Sequence, residues 1–226
     1  SSSGRISKDD LFITVNANRT NVYEQEAILV TYKVYTLVNL IQLIPEAPDF
    51  HGFHTQEVPL PQQKSFSLEH YNGRNYKTTV WSQYVLFPQQ DGKLEIPSLT
   101  FEGIIAQQVG PVDPFDALFN GSSNIQEIKK KIVTPKITIN VKPLPAGKPD
   151  NFSGAVGNFT INASANTSEL KTNDALTIKV TISGTGNLKL IKTPEVKFPE
   201  DFETYDPKVD NKFNLTRDGL TGNKTI

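Results

Sequence analysis

ITVNANRTNVYEQEAILVTYKVY, residues 13–35, is said a second time by FTINASANTSELKTNDALTIKVTIS, residues 159–183. Ile13, Val15, Asn16 and Ala17 line up with Phe159, Ile161, Asn162 and Ala163. After a two-residue slip, Glu26-Ala27 meets Asp174-Ala175, and Ile28, Val30, Tyr32 and Val34 meet Leu176, Ile178, Val180 and Ile182. In both stretches apolar residues alternate with polar ones, the period-two pattern of a half-buried strand. Tyr32 and Val180 are therefore expected to face inward on equivalent strands, 27–35 and 175–183.

The correspondence runs on. Asn39-Leu40 matches Asn187-Leu188, Pro45-Glu46 matches Pro194-Glu195, and Phe66 and Leu68 match Phe213 and Leu215. Asn72-Gly73 then meets Asp218-Gly219, and Lys77-Thr78 meets Lys224-Thr225. The offset at Phe66 is 147 (213 − 66) and holds within two residues throughout. Self-similarity at one long spacing marks two copies of one structural unit. The first copy continues past Thr78 with TVWSQYVLFPQQDGKLEIPSLTFEG, residues 79–103, which reads as a strand, a turn at Pro88 to Gly92 and a second strand. The second copy stops at Ile226 before any counterpart, so it is expected to be incomplete, with an open sheet edge.

Composition agrees with an all-β chain. The 226 residues are 37% hydrophobic, β-branched and aromatic residues dominate the alternating stretches, and mean hydropathy is −0.36. Turn signals recur at Asn72-Gly73, Asp91-Gly92, Gly184 to Gly186 and Asp218-Gly219. Many short strands so punctuated imply tandem immunoglobulin-like β-sandwiches. Zero cysteine rules out the antibody disulfide, a thiolate zinc site and a cysteine nucleophile. A formal net charge of −1 with interspersed Lys and Glu offers no electrostatic footprint for nucleic acid. No apolar run approaches the roughly 20 residues that span a bilayer.

The expected organisation is a linker at 1–8, a first sandwich over 9–142 and a second, truncated one over 155–226. Between them, residues 143–154 with Pro143, Pro145 and Pro149 form a stiff extended connection. Within the first sandwich, residues 104–135 read as an insertion with a short helix. Its core is VDPFDALF, residues 112–119. Asp113 before Pro114 is a helix-start signal, an N-cap carboxylate ahead of a proline at the first helical position. Asp116 adds a favourable charge to the first turn, and one turn places Phe115, Leu118 and Phe119 together. That face either folds back on its own sandwich or is an apolar knob with two acidic groups offered to a partner. NIQEIKKKIV, residues 124–133, has Ile125, Ile128 and Ile132 at helical spacing, although a strand also fits; Lys129 to Lys131 read as a solvated face.

Catalytic constellations are hard to assemble. His51 and His54, with Glu57 nearby, could contribute to a metal site, but two ligands leave a tetrahedral centre unfinished. No G-x-S-x-G elbow or phosphate-cradling glycine loop is present. The single tryptophan, Trp81, reads as a core residue sharing a face with Val85 and Phe87. N-x-S/T triplets begin at Asn18, Asn166 and elsewhere, as expected of a chain rich in Asn, Ser and Thr. No catalytic residue, cofactor or metal is assigned.

The segments DPFDALF, KPLPAGKPDNFSGAVGNF, SGTGNLKLI and FETYDPKV, together with YVLFPQQDGKLEIP, resemble the BatD family of aerotolerance-related exported proteins. The resemblance covers almost the whole chain. It implies a periplasmic protein anchored to the inner membrane through segments outside this chain, with no enzymatic activity. It also implies partners among envelope proteins that carry von Willebrand A domains. Such domains often hold a metal completed by a partner's carboxylate; Asp113 and Asp116 are then the candidate donors, with Asp116 preferred because an N-cap Asp113 already uses one oxygen. Phe115, Leu118 and Phe119 would supply the apolar contact. A surface ligand- or glycan-binding adhesin-like module is the alternative, to be recognised by a cluster of aromatics with polar neighbours on one face. A hydrolase or metal enzyme would need a cleft with convergent titratable groups.

Overall fold

The computed structural model describes residues 5–110, Phe115, Leu118 and 125–226. Strands follow one another as β1 (Leu11–Ala17), β2 (Asn21–Tyr23), β3 (Ile28–Thr36), β4 (Asn39–Pro45), β5 (Phe53–Glu57), β6 (Ser67–Tyr71) and β7 (Arg74–Pro88). The first unit is completed by β8 (Gly92–Ile96), β9 (Thr100–Gln108), β10 (Ile125–Val133) and β11 (Ile137–Lys142). The second holds β12 (Gly157–Ala165), β13 (Ile178–Gly186), a 3-10 turn at Leu188–Leu190, β14 (Asp210–Thr216) and β15 (Gly219–Thr225). The protein is all-β, with sheets of immunoglobulin-like sandwich type in which every pairing is antiparallel except the parallel pair β2–β11.

In the first unit one layer runs β1-β3-β7-β5, with β6 also paired to the long β7. Two three-stranded sheets, β10-β9-β4 and β2-β11-β8, complete the sandwich. Their inward residues share one core: Leu11, Ile13, Val30, Tyr32 and Val34 from the first layer meet Leu43, Ile96, Phe101, Ile105 and Ile139. Removing this much apolar surface from water is the main force holding the layers together.

The second unit's sheet is β12-β13-β15-β14, and its pairings repeat those of β1-β3-β7-β6. Ala17 pairs with Val30 and Ala165 with Ile178; Leu11 pairs with Thr36 and Phe159 with Gly184. The first strand pair thus recurs at an offset of 148 (165 − 17), with no slip between its two strands. The second hairpin recurs at 145 (216 − 71): Tyr71 pairs with Arg74, and Thr216 with Gly219. Strand pairing corrects the sequence alignment at four places. Ile13 corresponds to Ile161 rather than Phe159, Leu68 to Phe213 rather than Leu215, Lys77-Thr78 to Gly222-Asn223 rather than Lys224-Thr225, and Asn72-Gly73 to Arg217-Asp218, with Gly219 already the first residue of β15. Tyr32 and Val180 are equivalent, and both are buried.

The glycines at 184 and 186 are not a turn, as their spacing suggests, but lie within β13. Both hold positive φ, 151° and 153°, conformations that L side chains rarely adopt. A Cβ on Gly184 would sit 2.0 Å from the Asn158 carbonyl oxygen and 2.8 Å from the Phe159 ring. The ring of Phe159 covers the bare backbone that these glycines leave, an aromatic laid over a glycine kink.

Residues 125–133 form a strand, β10, rather than a helix. The insertion is therefore a continuation of the sandwich, a long β9–β10 hairpin, and helical backbone is seen at Phe115 and Leu118 near its tip. The pairing of β3 with β7 shifts register between Tyr32 and Lys33, where Tyr32 meets Ser82 and Lys33 meets Val80. Trp81 is the extra residue of this bulge. The bulge turns the strand over. Trp81 packs with Tyr84 and Leu86 on the main core, while Val85 and Phe87 join a separate cluster, so the shared face expected for these three does not exist.

Candidate functional site

The β9–β10 hairpin is built by nine antiparallel pairs from Thr100↔Val133 to Gln108↔Ile125. On its other side β4 pairs with β9 as far as Asn39↔Ala106. Gln107 and Gln108 carry the hairpin beyond that flanking strand. Phe115 is 74% and Leu118 79% exposed. Asp113, Asp116 and Phe119 lie outside the described residues. The base of the hairpin is tied down. Lys130 donates through Nζ to the carbonyl oxygens of Ile6 (2.9 Å) and Ser7 (2.8 Å), and Lys129 pairs with Glu102 at 3.3 Å. Lys130 is thus a clamp on the chain entering β1, not part of a merely solvated face, because strand alternation turns it the opposite way from Lys129 and Lys131.

A second surface joins the two units. Leu190 and Leu215 pack against buried Ala27, Val85 and Phe87. Asn187, fully buried, ties three segments together. Its Oδ1 accepts from the Val156 N–H at 2.7 Å, and its Nδ2 donates to the Gly154 carbonyl at 2.7 Å and to Gln25 Oε1 at 3.4 Å. At the rim Arg19 meets Asp218 at 2.6 Å. His54 lies near this joint, and its pKa is lowered first by burial and then by the charge of Lys189. Ala27, Val85, Phe87, Asn187, Leu215 and Asp218 were read from the sequence for the repeat or for core packing, none of them as part of a joint. The matched Asn39 and Asn187 were the available signal, but linear sequence does not say that Asn187 faces the other copy.

The metal-site idea built on His51, His54 and Glu57 does not assemble. His54 Nε2 lies 2.8 Å from Gln56 Nε2, and its ring tilts against Phe87 at 6.1 Å. Among the described residues no three His, Asp or Glu side chains are gathered to hold a metal ion. Lys64 caps Trp81, donating to its carbonyl at 2.7 Å with its Nζ 5.4 Å from the indole centroid.

A family model described as a BatD DUF11 like domain matches residues 15–141, which span most of the first unit and more than half of the chain. No curated protein and no solved structure matches the chain.

Proposed function

The chain belongs to the BatD family, and from that premise we propose that it is a non-catalytic interaction module of an exported, membrane-anchored protein of oxygen and stress tolerance. In this reading it scaffolds an envelope complex on the periplasmic side by docking proteins with von Willebrand A domains. The supporting observation is the hairpin tip, where Phe115 and Leu118, both with helical backbone, stand exposed on an element rooted in the sandwich. Large exposed apolar side chains are the usual anchors of a protein–protein contact. Asp116 is the proposed oxygen donor to a metal held by the partner.

In this reading, as the family implies, the membrane anchor belongs to segments outside this chain; no helix among the described residues is long and apolar enough to cross a membrane. The joint between units sets the orientation in which the hairpin is presented, because the apolar contact of Leu190 and Leu215 resists hinge motion. The test is affinity purification from native envelopes followed by mass spectrometry. Enrichment of von Willebrand A proteins is expected, lost when Phe115 and Leu118 are both replaced by Asp. Recovery of an unrelated set, unchanged by that replacement, overturns the reading.

A further inference from the structure

The outer face of the first unit's large sheet carries an aromatic cluster that the repeat does not require. Phe12 stacks on Tyr35 with centroids 4.9 Å apart and planes at 5°. Tyr76 meets Phe12 edge-on at 5.3 Å, and Tyr71 lies 4.9 Å from Tyr35. Beside them the Glu69 carboxylate accepts from Lys33 Nζ, from the Tyr35 hydroxyl at 3.2 Å and from Thr78 at 3.2 Å. The second unit supplies an internal control. At the offsets established by strand pairing, Phe12, Lys33, Tyr35, Glu69, Tyr71 and Tyr76 are replaced by Thr160, Thr181, Ser183, Asn214, Thr216 and Thr221. There a hydroxyl and amide ladder covers the same face: Ser183 donates to Asn223 at 2.6 Å, and the Thr185 and Thr221 hydroxyls are 2.7 Å apart. This sheet closes its outer face without a single ring. Strand pairing alone therefore does not require the rings of the first unit.

Three of them, the half-buried Phe12 and Tyr71 and the buried Tyr76, floor a cleft of about 310 Å³ between the chain entering β1 and the β6–β7 turn, with Lys8, Asp9, Asn72 and Arg74 completing its lining. Its walls are fixed. The Tyr76 hydroxyl donates to the Asp9 carbonyl at 2.9 Å, the Ser7 N–H donates to the Asp10 carboxylate at 2.7 Å, and Arg74 pairs with Asp10 at 3.5 Å. We propose that this cleft is a saccharide subsite, taking one or two neutral pyranose rings. Three properties select that ligand. The volume lies at the small end of the range for ligand sites, roughly 300–1,000 Å³. The aromatic floor suits the apolar C–H face of a sugar. The rim holds donors only (Lys8, Arg74), an acceptor only (Asp9) and an amide that does both (Asn72), which matches hydroxyls that donate and accept alike. A purely apolar side chain would strand the rim's polar groups.

The experiment is a titration of the 226-residue chain, followed by amide chemical shifts, with glucose, galactose, N-acetylglucosamine and their β-1,4-linked disaccharides. A saturable response confined to residues 8–12 and 71–76 is expected for at least one sugar. The dissociation constant should be on the order of 1 mM, fitting a single shallow subsite. Arg74→Ala and Asn72→Gly, both exposed, should each weaken it about tenfold while leaving Trp81 fluorescence unchanged, glycine being able to keep the left-handed φ of 46° that position 72 adopts. Tyr71→Ala should abolish it; if that variant fails to fold, the two rim variants still decide. No saturable response, a response elsewhere, or undiminished binding by both rim variants overturns the proposal. So does binding of a proline-rich peptide or inorganic phosphate at these residues when the sugars do not bind.

Discussion

Asn18 and Asn166 close their units with the same pair of hydrogen bonds. The side-chain oxygen of Asn18 accepts from the Leu29 N–H at 2.8 Å and its own N–H donates to the Leu29 carbonyl at 3.0 Å. Asn166 does the same with Thr177, at 2.9 and 3.0 Å. The turn that follows is also repeated. Glu26 accepts from the Tyr23 N–H and Asp174 from the Lys171 N–H, with Gln25 and Asn173 at positive φ of 68° and 73°. A shared backbone shape held by equivalent side chains is stronger evidence of one repeated unit than the apolar pattern, which many strands share.

Asn18→Ala should therefore destabilise the first unit by about 1 kcal/mol, since it strands a part-buried N–H. Asn166→Ala, at an exposed site, should cost less. Trp81, the single tryptophan, reports the first unit alone, so urea unfolding followed by its fluorescence should respond to Asn18→Ala and ignore Asn166→Ala.

Tyr32 points the opposite way. Its hydroxyl is buried with no hydrogen-bond partner among the described residues, and burial pushes its pKa well above the tyrosine range. Its ring packs near Tyr84 and Phe101. Tyr32→Phe keeps the ring and deletes the stranded hydroxyl. It should raise stability by about 1 kcal/mol, read as a higher urea midpoint at unchanged slope.

The Glu69 network carries a defined pH dependence. Lys33 first, then Tyr35 and Thr78, hold the Glu69 carboxyl below its ordinary value of 4.5. A lowered carboxylate pKa contributes stability above the unfolded value, and that stability is lost as pH falls through the folded one. Lys33 is raised, first by its bond to Glu69, so its contribution is present below its ordinary value of 10.5 and is lost at more alkaline pH. Glu69→Gln should flatten the acid limb of stability against pH below 4.5. An unchanged acid limb contradicts the network.

The joint should loosen in acid. His54 has its pKa lowered from 6.5 by burial and by Lys189 across the joint, so the neutral ring is the form the folded joint favours. That preference contributes stability above 6.5, lost as pH falls through the lowered value. Small-angle scattering should show the molecule lengthening below that pH, and His54→Gln should remove the transition. Leu190→Asp, which puts a charge against Phe87, should lengthen it at every pH.

Much of this fold was legible because period-two alternation at Ile28 to Val34 and its echo at Leu176 to Ile182 can be read directly. The same alternation explains the misalignment of β1. Sliding a strand by two residues keeps every apolar residue on its face, so matching Asn16-Ala17 to Asn162-Ala163 looked sound while the true partner of Asn18 was Asn166. Trp81 does pack on a core, but the face it was given, shared with Val85 and Phe87, was wrong because a bulge changes the face without changing the pattern. Of the residues chosen for contact, Phe115 and Leu118 are exposed, which their local helix signal could not decide. The joint and the aromatic cleft escaped notice for another reason. Phe12, Tyr35, Tyr76 and Tyr71 come from four strands, and only the pairing of those strands brings them together.

The hairpin tip carries the functional account, and titration calorimetry of the chain against a von Willebrand A domain from the same envelope tests it most directly. With magnesium present, binding should weaken at least tenfold, about 1.4 kcal/mol, in Leu118→Asp. Asp116→Ala should abolish the difference between magnesium and chelator while Trp81-monitored unfolding stays the same. Equal affinity for the unmodified chain and both variants would contradict the account.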